Sequence, residues 1–384
     1  MGAPLPPLSL YLHLPWCIRK CPYCDFNSHT AGDARSFERY TDALIADIRG
    51  EASLAEGRRV ESIFLGGGTP SLFSPEQVDR ILDACRKRLL LADDCEITME
   101  ANPGTVERGS LQAYRQAGVT RLSVGAQTFD AGILRTLGRI HGPGEIRGTL
   151  DEARAASFES INVDLMFALP GQTVEKAARD LKEVIALAPP HVSYYQLTLE
   201  PNTVFHRRPP AGLPDDDEAW RIQALGQEIL AGGGYRQYEV SAFSLPGHRS
   251  RHNLNYWQFG DYLAAGAGAH GKLTDAGGLV ERYSKPMHPL TFMEQVERNE
   301  VDRSTRTVER RDLDFEFMLN GLRLTDGISI DLFRQRTGID PEEIAHKIGA
   351  AVGDGLLDVP GDGTWRPTAD GFRLLNDLQA RFLS

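Results

Sequence analysis

The stretch Leu8-Ser9-Leu10-Tyr11-Leu12-His13-Leu14-Pro15-Trp16-Cys17-Ile18-Arg19-Lys20-Cys21-Pro22-Tyr23-Cys24 joins a short apolar run to three closely spaced thiols. Leu8 to Leu14 has the length and apolar content of a strand, and Pro15 ends it. The spacing Cys17-x-x-x-Cys21-x-x-Cys24 therefore sits on one loop at the C-terminal end of that strand. Thiolates are the usual ligands of iron-sulfur clusters, and a cubane has four irons, so three cysteines leave one iron open. A zinc site is the alternative. A closed zinc site wants four ligands, and no second cysteine pair follows at finger spacing, which leaves His13 or His29 to complete the set.

Outward from this loop, apolar runs alternate with segments of helical period. The predicted strands are Leu8 to Leu14, Val60 to Leu65, Cys95 to Glu100, Arg121 to Gly125, Ser160 to Phe167 and His191 to Leu197. Between them fall the predicted helices Ser36 to Arg49, Pro75 to Leu90, Glu145 to Ala156 and Val174 to Leu187. Strands joined by helical crossovers imply an α/β protein with a parallel sheet, either an open barrel or a doubly wound sheet. Periodicity alone leaves both.

With 384 residues, 41% of them hydrophobic, the chain can bury a large domain and a smaller one. The formal net charge of -11, with no block of lysines and arginines, argues against nucleic acid as a partner. Five cysteines are too few for a disulfide scaffold, and three crowd into eight positions, a pattern suited to a reducing cytosol. Met1 to Pro7 lacks a basic segment followed by a long apolar run, and no later stretch has the length of a membrane span. The expectation is a soluble, cytoplasmic protein. Cys85 and Cys95 read as buried small apolar residues.

At Arg207 to Glu218 the pattern breaks into a Pro-rich loop and an acidic run, Asp215 to Glu218, which suits the first turn of a helix. Past Thr305 come helices around Leu313 to Leu322, Ile330 to Arg336 and Pro341 to Val352, a hairpin through Pro360 to Gly363, and a final helix from Gly371 to Phe382. This resembles a winged helix, yet from Thr305 onward 10 Lys and Arg face 14 Asp and Glu, which argues against DNA reading.

Polar residues close several of the strands. Gly66-Gly67-Gly68-Thr69-Pro70 follows the second, at the edge where ligands of parallel sheets bind, and glycines there let backbone amides approach a ligand; a simple turn explains them equally well. Glu100, Gln127, Arg139 and Asp164 lie at or beyond the ends of later strands. Buried carboxylates and an arginine need partners, which a bound charged ligand can provide or a structural ion pair can replace.

The segment Tyr11 to Cys24 resembles the cluster loop of radical S-adenosylmethionine proteins. That resemblance implies a partial (βα)6 TIM-like barrel with a smaller winged-helix-like C-terminal domain. It implies a 4Fe-4S cluster on Cys17, Cys21 and Cys24, with the amino and carboxylate groups of S-adenosylmethionine on the open iron. The cofactor would meet Tyr11, Tyr23, Gly67, Gly68, Thr69, Glu100, Gln127, Arg139 and Asp164. The expected domains are a core barrel over 1–240, a connecting segment over 241–304 and a HemN-type helical and winged domain over 305–384.

The whole chain, including Leu169-Pro170-Gly171-Gln172-Thr173, resembles the oxygen-independent coproporphyrinogen III dehydrogenase group, which contains a decarboxylating enzyme and the HemW family of heme chaperones. The enzyme carries a fourth cysteine where this chain has Phe26, and a long extension where only sixteen residues precede Cys17. The chaperone motif His-Asn-x-x-Tyr-Trp is matched by His252-Asn253-Leu254-Asn255-Tyr256-Trp257. An imidazole can ligate heme iron and aromatic rings can pack on a porphyrin; the alternative is a buried His and Trp that stabilise a turn. The resemblance implies a chaperone with heme on His252, Asn253, Tyr256 and Trp257, and without coproporphyrinogen oxidase activity. Heme would pass to a respiratory-chain acceptor, which can bring the protein to the membrane surface. The cluster and cofactor can serve heme attachment, heme release, cofactor cleavage or a homodimer. Arg249 or Arg251 is expected to pair with heme propionates, and His270 in Gly266-Ala267-Gly268-Ala269-His270 is a reserve iron ligand beside a backbone turn that faces the cofactor. The rival reading is the decarboxylating enzyme itself.

Overall fold

The computed structural model describes residues 4–104 and 110–383; Met1 to Ala3 of the N-terminal segment lie outside the described residues. In chain order the strands of the main sheet are β1 Leu8–Leu14, β2 Arg59–Gly67, β3 Leu90–Ala101, β4 Arg121–Gln127, β5 Ser160–Phe167, β6 His191–Gln196, β7 Arg236–Glu239, β8 Ala242–Ser244, β9 Asp261–Ala265, β10 His270–Thr274, β11 Val280–Ser284 and β12 Ser304–Thr307. β1 to β6 stand side by side in sequence order and all pairs are parallel. Neighbours in sequence are neighbours in space, so the first six strands wind in one direction. That is the open-barrel solution, since a doubly wound sheet reverses its order at a switch point.

Side-chain alternation sets the two faces of the sheet. Leu8, Leu10, Leu12 and Leu14 are fully buried beneath α1 (Ala34–Glu51), whose Phe37, Tyr40, Leu44 and Ile48 pack in the same core. Ser9, Tyr11 and His13 face the other way, into the concave side. α1 starts where Asp33 caps Ser36 N, and α2 (Pro75–Arg88) starts in a reciprocal Ser74/Gln77 capping box with Pro75 in its first turn. Asp215 likewise caps the helix Asp216–Gly232 through Glu218 N, as its acidic first turn implies.

The sequence reading missed both flanks of the sheet. β9 joins β1 in parallel, and β10, β11 and β12 extend that edge antiparallel, while β8 and β7 extend the other. These strands are three to five residues long and polar on one face, too short for a clear period.

The C-terminal segment buries Phe317, Phe333, Trp365 and Phe382 in a second core, which Phe259 and Val280 from the preceding segment join. Three short strands in the order Ile328–Ser329, Thr364–Pro367, Leu357–Asp358 form the wing. The expected final helix is two, Ala369–Arg373 and Leu375–Ala380, because Leu374 leaves helical geometry at ψ 41. The helix Arg310–Gly321 follows β12 directly, and Leu324 just beyond it bridges to Glu239 of β7. This helix thus ties one edge of the open sheet to the other.

Candidate functional site

The cluster loop is braced at both ends. Trp16 and Cys17 pair in parallel with His29 and Thr30, and Gly68 N and Thr69 N donate to Leu14 O and Trp16 O. A Cβ on Gly68 would meet the Pro15 and Trp16 backbone at 2.6–2.7 Å, so only glycine lets β2 end this close to the loop. Cys17, Cys21 and Cys24 are free and half-buried, and all three open onto one cavity of about 380 Å³. Thr69 Oγ1 lies 3.5 Å from Cys17 Sγ and Arg139 Nη1 3.7 Å from Cys21 Sγ. Burial raises the pKa of the Cys17 and Cys24 thiols, against hydrogen bonds that lower it, so metal coordination would be what removes their protons.

This donor set suits a cubane better than zinc. Among the described residues no three His, Cys, Asp or Glu side chains converge on a single ion. His13, one candidate fourth zinc ligand, has both ring nitrogens occupied: Nε2 donates to Asn27 O at 2.8 Å and Nδ1 accepts from Tyr11 at 3.0 Å. The other, His29, bonds Asn27 Oδ1.

The expected cofactor residues converge on the same concave space. Tyr23, Gly67, Gly68, Thr69, Glu100, Gln127, Arg139 and Asp164 all line the cavity onto which the thiols open. Gly67 N donates to Glu100 Oε2 at 3.2 Å, yet burial, with the nearby Asp164 carboxylate, pushes the Glu100 carboxyl up to about 8. Asp164 accepts from Asn162 Nδ2 at 2.7 Å and Ser123 Oγ at 3.1 Å, and burial raises its pKa as well. Gln127, in the left-handed region at φ 69, accepts from Tyr195 at 2.8 Å. Arg139 donates to Gly125 O at 2.7 Å and to Asn102 Oδ1. Protonated or half-satisfied carboxylates facing a cavity beside a guanidinium fit a polar, charged ligand. Tyr11 lies apart from the rest, in an adjoining groove that shares Gly67 and Glu100 with the cavity.

The motif His252 to Trp257 forms the helix Arg251–Trp257, capped by Ser250. Its first turn is pinned by Glu96, whose Oε1 accepts from Arg251 N and His252 N at 3.0 and 3.2 Å, and one turn on Asn255 Nδ2 donates to Ser9 Oγ at 2.9 Å. Asn253 and Trp257 line the same cavity as the three thiols, and Tyr256 lines the adjoining groove. His252 lines neither. It is 1% exposed, with Ser62 Oγ 3.0 Å from Nδ1 and Tyr256 Oη 3.1 Å from Nε2, and burial holds its pKa down to about 3.

Arg249 and Arg251 are engaged within the chain. Arg249 meets Asp326 at 2.9 Å, and Arg251 meets Asp94 at 2.9 Å and Glu61 at 3.1 Å. The turn before His270 is held by α1, as Gly266 N donates to Asp47 Oδ2 and Ala267 N to Tyr40 Oη; Gly268 borders the groove. Cys85 is buried as expected, but Cys95 is only half-buried.

Several cavity residues escaped the sequence reading. Asn102, two positions beyond Glu100 and so on the same strand face, links Thr69 to Arg139; strand period was a signal that could have found it. Glu239 and Arg323, 3.1 Å apart at the far end, come from β7 and the C-terminal segment, and no local pattern joins them.

An open parallel α/β barrel with three thiols at the C-terminal end of its first strand, above a polar concave face, defines a radical S-adenosylmethionine protein. Residues 11–184 match the radical SAM superfamily and residues 308–374 the HemN C-terminal domain. The chain is 46% identical to the heme chaperone HemW of Escherichia coli and 43% to that of Haemophilus influenzae, each over 99% of both chains. Its fold matches the E. coli coproporphyrinogen III oxidase HemN, a radical SAM enzyme, with a TM-score of 0.83 at 25% identity over 98% of this chain and 90% of that one. The chain belongs to the HemW family of heme chaperones. Membership in the superfamily implies an iron-sulfur cluster and S-adenosylmethionine. Among the described residues no helix is long and apolar enough to cross a membrane.

Proposed function

We propose that this chain binds heme and passes it to an acceptor protein of the respiratory chain, from a scaffold that carries a three-thiolate 4Fe-4S cluster and S-adenosylmethionine. The observation that carries this reading is that Asn253 and Trp257 of the family motif open onto the same cavity as Cys17, Cys21 and Cys24. Heme uptake and the cluster site thus share one concave space.

In this reading Cys17, Cys21 and Cys24 hold the cluster, which when reduced supplies an electron to the cofactor. Tyr11, Tyr23, Gly67, Gly68, Thr69, Glu100, Gln127, Arg139 and Asp164 orient the cofactor and exclude water from it. His252, Asn253, Tyr256 and Trp257 serve heme. Since both nitrogens of His252 are bonded, its use as an iron ligand requires the Tyr256 contact to break first. The proposed domain limits are 1–240, 241–304 and 305–384; the C-terminal segment gathers an apolar core apart from that of the barrel, and Phe259 and Val280 of the connecting segment join it. A cytoplasmic location, with the acceptor drawing the protein to the membrane surface, belongs to the same reading, as does a homodimer.

The similarity in fold to coproporphyrinogen III oxidase favours a second reading, oxidative decarboxylation of a porphyrinogen propionate. Against it stands Phe26, 60% exposed where the enzyme has a cysteine. One anaerobic experiment separates them. The reconstituted protein, with reductant, S-adenosylmethionine and coproporphyrinogen, should give no divinyl product, whereas heme-loaded protein should capture and load a heme-free respiratory acceptor. Catalytic formation of the divinyl product would overturn the chaperone reading.

A further inference from the structure

We propose that His191 and Tyr238 are positioning residues that couple the cofactor end of the cavity to the start of the heme-motif helix, through a row of hydrogen bonds that all point one way. The inference rests on the reading above, in which Asp164 meets S-adenosylmethionine and the helix Arg251–Trp257 serves heme.

The row begins at Asp164 on the cavity wall and crosses β5, β6 and β7. Asp164 Oδ1 accepts from Asn162 Nδ2 at 2.7 Å, and Asn162 Oδ1 lies 2.6 Å from His191 Nδ1. The other ring nitrogen, Nε2, lies 2.8 Å from the Tyr238 hydroxyl, which accepts from the Ser250 amide at 3.1 Å. Ser250 caps the motif helix, its Oγ accepting from Asn253 N at 3.3 Å. Asn162, His191, Tyr238 and Ser250 are each at most 3% exposed, so water does not compete for these bonds.

The direction of every bond is fixed by its neighbours. Ser123 donates to Asp164 Oδ2 and so can only accept from Asn162, which sets the orientation of that amide. Its Oδ1 only accepts, so His191 Nδ1 carries a proton. Burial, with the charge of Arg121, holds the His191 pKa well below its usual value, and the neutral ring keeps a lone pair on Nε2. The Tyr238 hydroxyl then donates to Nε2 and leaves its oxygen to the Ser250 amide. All the protons thus point toward Asp164.

Such a row responds to charge at its Asp164 end. Burial raises the pKa of Asp164, and the donors of a bound cofactor would favour its ionised form. A charged acceptor makes the stronger hydrogen bond, and aligned bonds polarise one another along the row. Each link tightens in turn, as far as the Ser250 amide. The helix start is then held where it presents Asn253 and Trp257 to the cavity. Asn162, His191 and Tyr238 line neither the cavity nor the groove, so they act only through their neighbours.

The test uses the full-length, cluster-reconstituted protein and two readouts. In wild type without heme, S-adenosylmethionine should slow hydrogen exchange at the Ser250 amide beyond its effect on other buried amides. Hemin, titrated by Soret absorbance, should bind more tightly with the cofactor than without it, by a factor within the roughly 5–150-fold span of coupled sites. Tyr238→Phe deletes one hydroxyl and cuts the row. In this variant the factor should fall to near one, while hemin affinity without cofactor stays close to wild type; a purely structural role would weaken binding equally in both conditions. If the cofactor leaves Ser250 exchange in wild type unchanged, or Tyr238→Phe keeps the wild-type factor, the inference falls while the chaperone reading stands. The exchange measurement needs no variant, so it judges the inference even if Tyr238→Phe fails to fold. Failure of wild type to bind hemin at all would overturn the chaperone reading, and the heme end of the inference with it.

Discussion

The Tyr256 hydroxyl lies 3.1 Å from His252 Nε2, while Ser62 holds the other ring nitrogen at 3.0 Å. The two residues are four apart on one helix, so their side chains meet on one face. Tyr256→Phe removes the covering hydroxyl and leaves Nε2 without a partner in a buried site. The expected cost is about 1–3 kcal/mol of stability, read as a lower urea midpoint with an unchanged m-value. An unchanged midpoint would mean that the hydroxyl does not hold the ring.

Glu96 fixes the start of the same helix by accepting from two successive amides, Arg251 N and His252 N. Hydrogen bonds to a charged group are worth about 1.5–3 kcal/mol each, and Glu96→Ala should therefore destabilise the protein by several kcal/mol. Faster proteolysis within 248–258 than elsewhere is the local signature to look for. Uniform proteolysis would argue against a local role.

Gly68 stands where any Cβ would strike the Pro15 and Trp16 backbone. In Gly68→Ala the loop that carries Cys17 must shift, and cluster content should fall sharply while far-ultraviolet circular dichroism stays near wild type. Iron and sulfide analysis after anaerobic reconstitution reads this directly; full iron content in the variant would contradict it.

Two buried histidines set an acid limit on stability. Burial holds His252 down to about 3 and His191 well below its usual value, with the charge of Arg121 adding to the effect on His191. The unfolded chain takes up these protons below about pH 6.5, whereas the folded chain stays neutral. Stability should therefore fall as pH drops from about 6.5 towards 3, most of it in that window. His252→Gln should show a shallower decline in thermal midpoint over the same range, and a parallel decline would assign the effect to other groups.

Glu100 works in the opposite direction. Its carboxyl, raised by burial and by Asp164 to about 8, stays protonated in the folded protein through a range where the unfolded chain ionises. Its penalty therefore grows as pH rises from about 4.5 and levels off near pH 8. Without cofactor, Glu100→Gln should gain thermal midpoint relative to wild type between pH 5 and pH 8. A constant difference across that range would mean that Glu100 is already ionised.

Much of the barrel was readable from local pattern. Leu8–Leu14 and Ser160–Phe167 have the predicted bounds, because a strand covered by helices must be apolar and turn residues mark its ends. β3 and β4 run longer than predicted because each resumes pairing across a bulge, Leu90 and Leu91 of β3 with Arg59 and Val60, and Gln127 of β4 with Leu165. The flanking strands β7 to β12 were invisible because their pairing partners, not their own sequence, make them strands.

The candidate site divides in the same way. Cysteine spacing by itself placed three thiols on one loop, since three within eight residues after a strand must share it, while the engagement of His13 and His29 that disfavours zinc came from the tertiary structure. Strand ends fixed Glu100, Gln127 and Asp164, because in a parallel barrel all such ends meet on one rim. Tertiary structure alone decided that His252 is buried while Asn253 and Trp257 face the cavity and Tyr256 the groove, because a helix distributes successive residues around its axis and only packing selects the covered side. It also decided that His270, Phe26 and Met287, up to 261 positions apart in sequence, border one groove. Local sequence sets period and ligand chemistry; the closing of distant segments on one another sets which of those ligands can be reached.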